Sequence, residues 1–114
     1  MVNKKVYIPK RGDLVWINFS PQKGREQANK RPAVVISPKI YNEKTGLALM
    51  CPITSQIKGY PFEFILKEKK IKGAVLCDHI KNLDYKAREV SFIQKLKDIQ
   101  IKEIQEKIIM LISK

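Results

Sequence analysis

The chain has 114 residues, is 44% hydrophobic and 30% charged, and shows no linker, repeat or low-complexity tract, which suits a single domain over 1–114 with one core. Its formal net charge is +12, and all but four of its 23 basic side chains are lysine. That balance favours a polyanionic partner, nucleic acid or an acidic protein, although scattered lysine can also simply solvate a surface, and no apolar run approaches the ~20 residues of a membrane-spanning helix.

Arg11-Gly12-Asp13 reads as a turn into a first strand, Leu14-Val15-Trp16-Ile17-Asn18-Phe19. Pro21-Gln22-Lys23-Gly24 is a second turn signal. The stretch 24–38 then changes character midway. Its first half is polar loop chemistry, and its second half, Ala33-Val34-Val35-Ile36-Ser37, is a strand closed by Pro38, with Arg31 on the seam. A polar loop pinned between rigid strands is where binding and catalytic groups concentrate. Asn42-Glu43-Lys44-Thr45-Gly46 reads as a hairpin turn before a nearly all-apolar third strand, 47–53, and 54–59 is another polar loop. A fourth strand runs over 61–66, opened by Pro61, followed by a solvated lysine-rich turn over 67–72 and a fifth strand over 73–77. Residues 78–82 read as a short helical turn and 88–94 as a further strand.

The period then switches. Ile101, Ile104, Ile108 and Leu111 fall on one face of a helix, Ile109 and Ile112 widen the stripe, and Asp98 is its expected N-cap. Isoleucine lowers helix propensity, so packing on the sheet must hold this helix. The fold class is mainly β with a C-terminal helix, a small, SH3-like, bent antiparallel β-barrel. Cys51 and Cys77, beside apolar residues, read as core hydrophobes, and with the lone His79 they cannot assemble a usual zinc set. Residues 1–5 carry no secretory pattern, so a cytoplasmic location with reduced thiols is expected.

Five segments bring a family into view in register: Gly12-Asp13-Leu14-Val15-Trp16, Gly24-Arg25-Glu26-Gln27, Arg31-Pro32-Ala33-Val34-Val35, Tyr41-Asn42-x-x-Thr45-Gly46 and Lys58-Gly59-Tyr60-Pro61-Phe62-Glu63. Together they resemble the MazF/PemK-type toxins, the MazF branch most closely, over nearly the whole length. The resemblance implies the plasmid-maintenance-toxin type of barrel and the toxin of a type II toxin–antitoxin pair, an endoribonuclease that cuts single-stranded RNA (mRNA) at a short sequence. It implies that neither metal nor other cofactor is used, and that the products carry a 5′-hydroxyl and a 2′,3′-cyclic phosphate or 3′-phosphate. It also implies a homodimer with RNA grooves at its interface, covered by an acidic MazE-like antitoxin.

Carried over residue by residue, the family's catalytic arginine matches Arg31 and its catalytic hydroxyl matches Thr54. A guanidinium can hold two phosphoryl oxygens bidentately, and a hydroxyl can donate to the same oxygens. Glu26 matches a family glutamate and has two open roles, accepting the 2′-hydroxyl proton or orienting Arg31. Phe19, Gln27 and Gln56 are candidates for splayed bases, Arg25, Lys30 and Lys58 for RNA contact, and Asp78 for a base edge or a turn cap. His79 stands where the MazF branch commonly has glutamine, so it reads as an RNA or dimer contact before a catalyst. Trp16 reads as core or dimer interface. Leu76 replaces an arginine of the Kid-like branch and Arg25 a histidine, which favours the Arg31/Thr54 arrangement. Two other classes stay open, a non-catalytic RNA-binding barrel and a CcdB-like toxin acting on a protein. Binding without cleavage would favour the first, and the Arg31/Thr54 pairing argues against the second.

Overall fold

The computed structural model describes residues 6–19 and 30–113. Their elements are β1 (Asp13–Asn18), β2 (Lys30–Val35), α1 (Lys39–Thr45), β3 (Leu47–Thr54), β4 (Glu63–Lys67), β5 (Lys72–Leu76), β6 (Lys81–Asp84), β7 (Ser91–Lys95) and α2 (Asp98–Ile112). The strands form one sheet in the order β4-β5-β3-β2-β1-β7, with β6 also on β3, and every pairing is antiparallel. The molecule is thus a strongly bent antiparallel sheet closed by a C-terminal helix, as its patterning predicts.

Strand alternation builds two cores on the two faces. Leu14, Val34, Cys51, Ile53 and Val75 point to the face that α2 covers with Ile101, Ile104 and Ile108. Val15, Ile17, Ala33, Val35, Ala48 and Met50 point to the other, where Leu83 and Tyr85 close over them. Both cysteines are buried free thiols in the first core. Gly12 sits at φ +90, and a Cβ there would lie 2.2 Å from Ile101 Cδ1, so glycine lets α2 pass directly over the turn into β1.

Several local expectations are corrected. Residues 42–46 do not make a hairpin turn: they are the end of α1, and Gly46 at φ 75 is its left-handed C-cap, donating its N–H to the Asn42 carbonyl. The helical turn expected over 78–82 is not there: Lys81 and Asn82 open β6, which pairs with Leu47–Met50 of β3. Lys97 rather than Asp98 occupies the N-cap of α2, and its N–H is satisfied by the Gln100 side chain at 2.9 Å. Ile109, Leu111 and Ile112, expected to extend the apolar stripe, are 52%, 45% and 79% exposed, so the buried face of α2 is only Ile101, Ile104 and Ile108.

Candidate active site

β3 changes partner along its length, and this opens the site. β2 pairs with it only as far as Ala33↔Pro52. Pro32 and Pro52 have no N–H to give, so the ladder stops there. Beyond it, β3 continues against β5 through Ile53↔Val75 and Thr54↔Ala74. Two residues further along the β2–β3 count, Arg31 and Thr54 would face one another. Alternation puts Arg31 on the face of Ala33 and Val35, and Thr54 on that of Ala48 and Met50, which is the same face.

Arg31 and Thr54 line two cavities together. One, of about 680 Å³, adds Trp16, Gln56, Lys70 and Lys72, and the other, of about 330 Å³, adds Phe19, Leu76, His79 and Lys81. A third hollow joins Thr54 and His79 to Gln56, Lys58, Tyr60 and Glu63. The backbone N–H of Gln56 donates to Thr54 Oγ1 at 3.1 Å. With that acceptor position used, the hydroxyl proton is available to a group in the cavity. Arg31 is exposed and lines both openings.

β5 and β6 run along the same edge of β3, on consecutive stretches, and the turn between them pushes 77–80 out of the ladder. That bulge carries His79 into the site. His79 is half exposed, with Nε2 3.7 Å from Asp78 Oδ1. The Tyr60 hydroxyl donates to the same Asp78 oxygen at 2.7 Å, which pushes the Tyr60 pKa up to about 12, that bond being the main cause. Asp78 therefore acts as a tether between two loops, and its side chain is not in the cavity walls.

The structure brings Arg31, Thr54, Phe19, Gln56 and Lys58 together. Lys30 is exposed beside them, paired with Asn18 and outside those walls. Arg25, Glu26 and Gln27 lie outside the described residues. Trp16, read from the sequence as core or interface, is not core: it is 37% exposed in the wall of the larger cavity, outside the cluster that Leu14 forms with the α2 isoleucines. Lys70 and Lys72, read as a solvated tip, also wall this cavity, and Lys81 lies 6.0 Å from the centroid of the Phe19 ring. Arg31, Lys58, Lys70, Lys72 and Lys81 thus face one carboxylate, Glu63, around the described part of the site.

This geometry has counterparts. A family model described as PemK-like, MazF-like toxin of type II toxin–antitoxin system matches residues 10–112. The chain is 51% identical over 82 residues to the endoribonuclease toxin MazF of Escherichia coli strain K12, across 72% of this chain and 74% of that one. Among solved structures it resembles MazF from Deinococcus radiodurans, with a TM-score of 0.83 at 42% identity over 94% of this chain and 98% of that one. It matches a MazE–MazF structure from the same organism with a TM-score of 0.84 at 41% identity, over 93% and 97% of the two chains.

Proposed function

We infer the reaction from one premise: the chain belongs to the PemK-like, MazF-like toxins of type II toxin–antitoxin systems and is an endoribonuclease. Its substrate is single-stranded RNA, mRNA above all, cut without metal at a short sequence. The ribose 2′-hydroxyl gives up its proton and its oxygen attacks the adjacent phosphorus, the bond to the 5′-oxygen breaks as that oxygen takes a proton from solvent water, and the products are a 2′,3′-cyclic phosphate and a 5′-hydroxyl. Water can open the ring to a 3′-phosphate. Arg31 forks onto the phosphoryl oxygens as charge develops on them, and Thr54 donates its hydroxyl to the same group. The observation carrying this reading is that both residues line the same two cavities, with the Thr54 oxygen already accepting from Gln56.

Arginine, with a pKa above ~12, is a poor base, so proton removal falls to a carboxylate. Glu26 supplies it or else orients Arg31, and a pH profile separates the two. In Glu26→Gln, loss of a base abolishes the rise of rate with pH, whereas loss of an orienting partner lowers the rate evenly. Phe19 offers a stacking face, Gln56 an amide, and Lys58 and Lys81 charge to the RNA on either side. The working unit is a cytoplasmic homodimer, neutralised by an acidic MazE-like antitoxin laid over this basic opening, and its free form stops translation and growth.

Long mixed-sequence RNA incubated with the purified protein in EDTA tests the reading. Cuts at one short motif with 5′-hydroxyl and cyclic or 3′-phosphate ends are expected. Cleavage only on adding a divalent metal, or 5′-phosphate ends, would overturn it.

A further inference from the structure

Glu63 lines the hollow beside Thr54, yet it is only 6% exposed and its oxygens are already committed. Oε1 accepts the N–H of Gly59 at 2.7 Å, and the N–H of Lys58 is shared between Oε1 at 3.2 Å and Oε2 at 3.1 Å. A carboxylate so occupied by backbone donors is an anchor rather than a proton acceptor. What it anchors is the loop from Ser55 to Phe62, which supplies Gln56, Lys58 and Tyr60 to the site. The loop has other attachments: at its start the Gln56 N–H donates to Thr54 Oγ1 at 3.1 Å, and towards its end lie Tyr60 on Asp78, the Tyr60 carbonyl accepting from the Glu63 N–H at 3.1 Å, the Pro61 carbonyl accepting from Lys107 Nζ at 2.8 Å, and the Phe62 carbonyl accepting from the Cys77 N–H at 3.0 Å. Glu63 is the attachment from beneath, at the left-handed bend of Gly59, φ +85.

We propose that Glu63 is a positioning residue for the RNA: by holding the Lys58 and Gly59 amides it fixes the loop that presents Gln56 and Lys58 beside Thr54, and so sets how the substrate is seated. This rests on the ribonuclease reading above. Its effect is on binding of the flanking nucleotides more than on the reacting phosphate, because Arg31 and Thr54 are held by β2 and β3 and not by this loop.

The test uses the full chain and a defined RNA oligonucleotide with a single cut site. Glu63→Gln keeps the shape but turns an amide N–H₂ toward a backbone donor. Gly59→Ala leaves the carboxylate in place and strains only the bend, since a Cβ there meets nothing within 4 Å. In each variant KM is expected to rise about tenfold, with kcat falling less than about threefold. Amide exchange at Lys58 and Gly59 should quicken while that of β1 to β3 stays slow. Lys58→Ala added to Glu63→Gln should cost less than it costs alone, because the loop is already displaced. Unchanged KM in both variants, or exchange quickened throughout the sheet, overturns the proposal while leaving the ribonuclease reading intact. RNA left uncut by the wild-type chain overturns both.

Discussion

In the proposed reaction Arg31 and Thr54 are unequal partners. Arg31→Ala removes a charged, forked donor from the developing phosphorane and should lower single-turnover cleavage by about 10²–10³, with RNA affinity changing far less. Arg31→Lys keeps the charge and loses the fork, so it should recover only a small part. Thr54→Val should cost less, about 10–100-fold, and Thr54→Ser should retain most activity, because only the hydroxyl is required. That these two residues meet at one opening was legible in the sequence, since Arg31 sits near the start of one strand and Thr54 at the end of the next. The place of Lys70, Lys72 and Lys81 was not. A surface lysine looks the same in sequence whether it faces solvent or a cavity, and only the pairing of β5 and β6 with β3 decides. Of the two readings of Trp16, core or interface, only the first is excluded: its strand neighbours Val15 and Ile17 are buried, whereas Trp16 itself is exposed.

The elements show where tertiary pairing overrides local signals. Asn, Thr and Gly before a strand serve a hairpin turn or a helix C-cap equally well. The cap prevails because Asn42 is wholly buried, donating to the Pro9 carbonyl at 2.7 Å and the Ser37 carbonyl at 3.1 Å while accepting from the Ser37 hydroxyl at 2.5 Å. Asn42→Ala leaves those groups unpaired in the interior and should cost about 2–3 kcal/mol in denaturant unfolding. Gly73 makes a sharper test of the site. A Cβ there would lie 2.4 Å from the Thr54 carbonyl oxygen, so Gly73→Ala must push β5 from β3 where Thr54 is held. Cleavage should fall at least tenfold, out of proportion to any loss of stability, when the two are measured on one preparation.

Glu68 ties three elements, accepting from Gln94 of β7 and Gln100 of α2 at 3.0 Å each, and these bonds hold its carboxyl below the usual range. A lowered folded pKa adds stability above the unfolded value, near 4.3, that is lost as pH falls through the folded pKa. The group lies near the surface, so the amount is below about 1 kcal/mol. Stability of Glu68→Gln should therefore decline less steeply than that of wild type as pH falls below about 4.3, read from unfolding curves.

For the molecule as a whole, fold class and charge were readable from the start: alternating apolar strands, an isoleucine-rich terminal helix and a net charge of +12. Where that charge gathers was not readable, because lysines distant in sequence meet only when β3 is shared by β2, β5 and β6. If Arg31, Lys58, Lys70, Lys72 and Lys81 each neutralise one phosphate, log affinity for single-stranded RNA should fall against log salt with a slope of about −3 to −4. Lys70→Ala should reduce that slope by about 0.7 without changing the sequence that is cut.

The most direct test of the central claim, attack by the ribose 2′-hydroxyl on a phosphate held by Arg31 and Thr54, is one oligonucleotide with a single 2′-deoxy sugar at the mapped cut site, assayed beside its all-ribose parent. The account predicts that the substituted strand binds within severalfold of the parent and is not cut. Cleavage of the deoxy strand at that bond would show that the nucleophile comes from elsewhere and would contradict it.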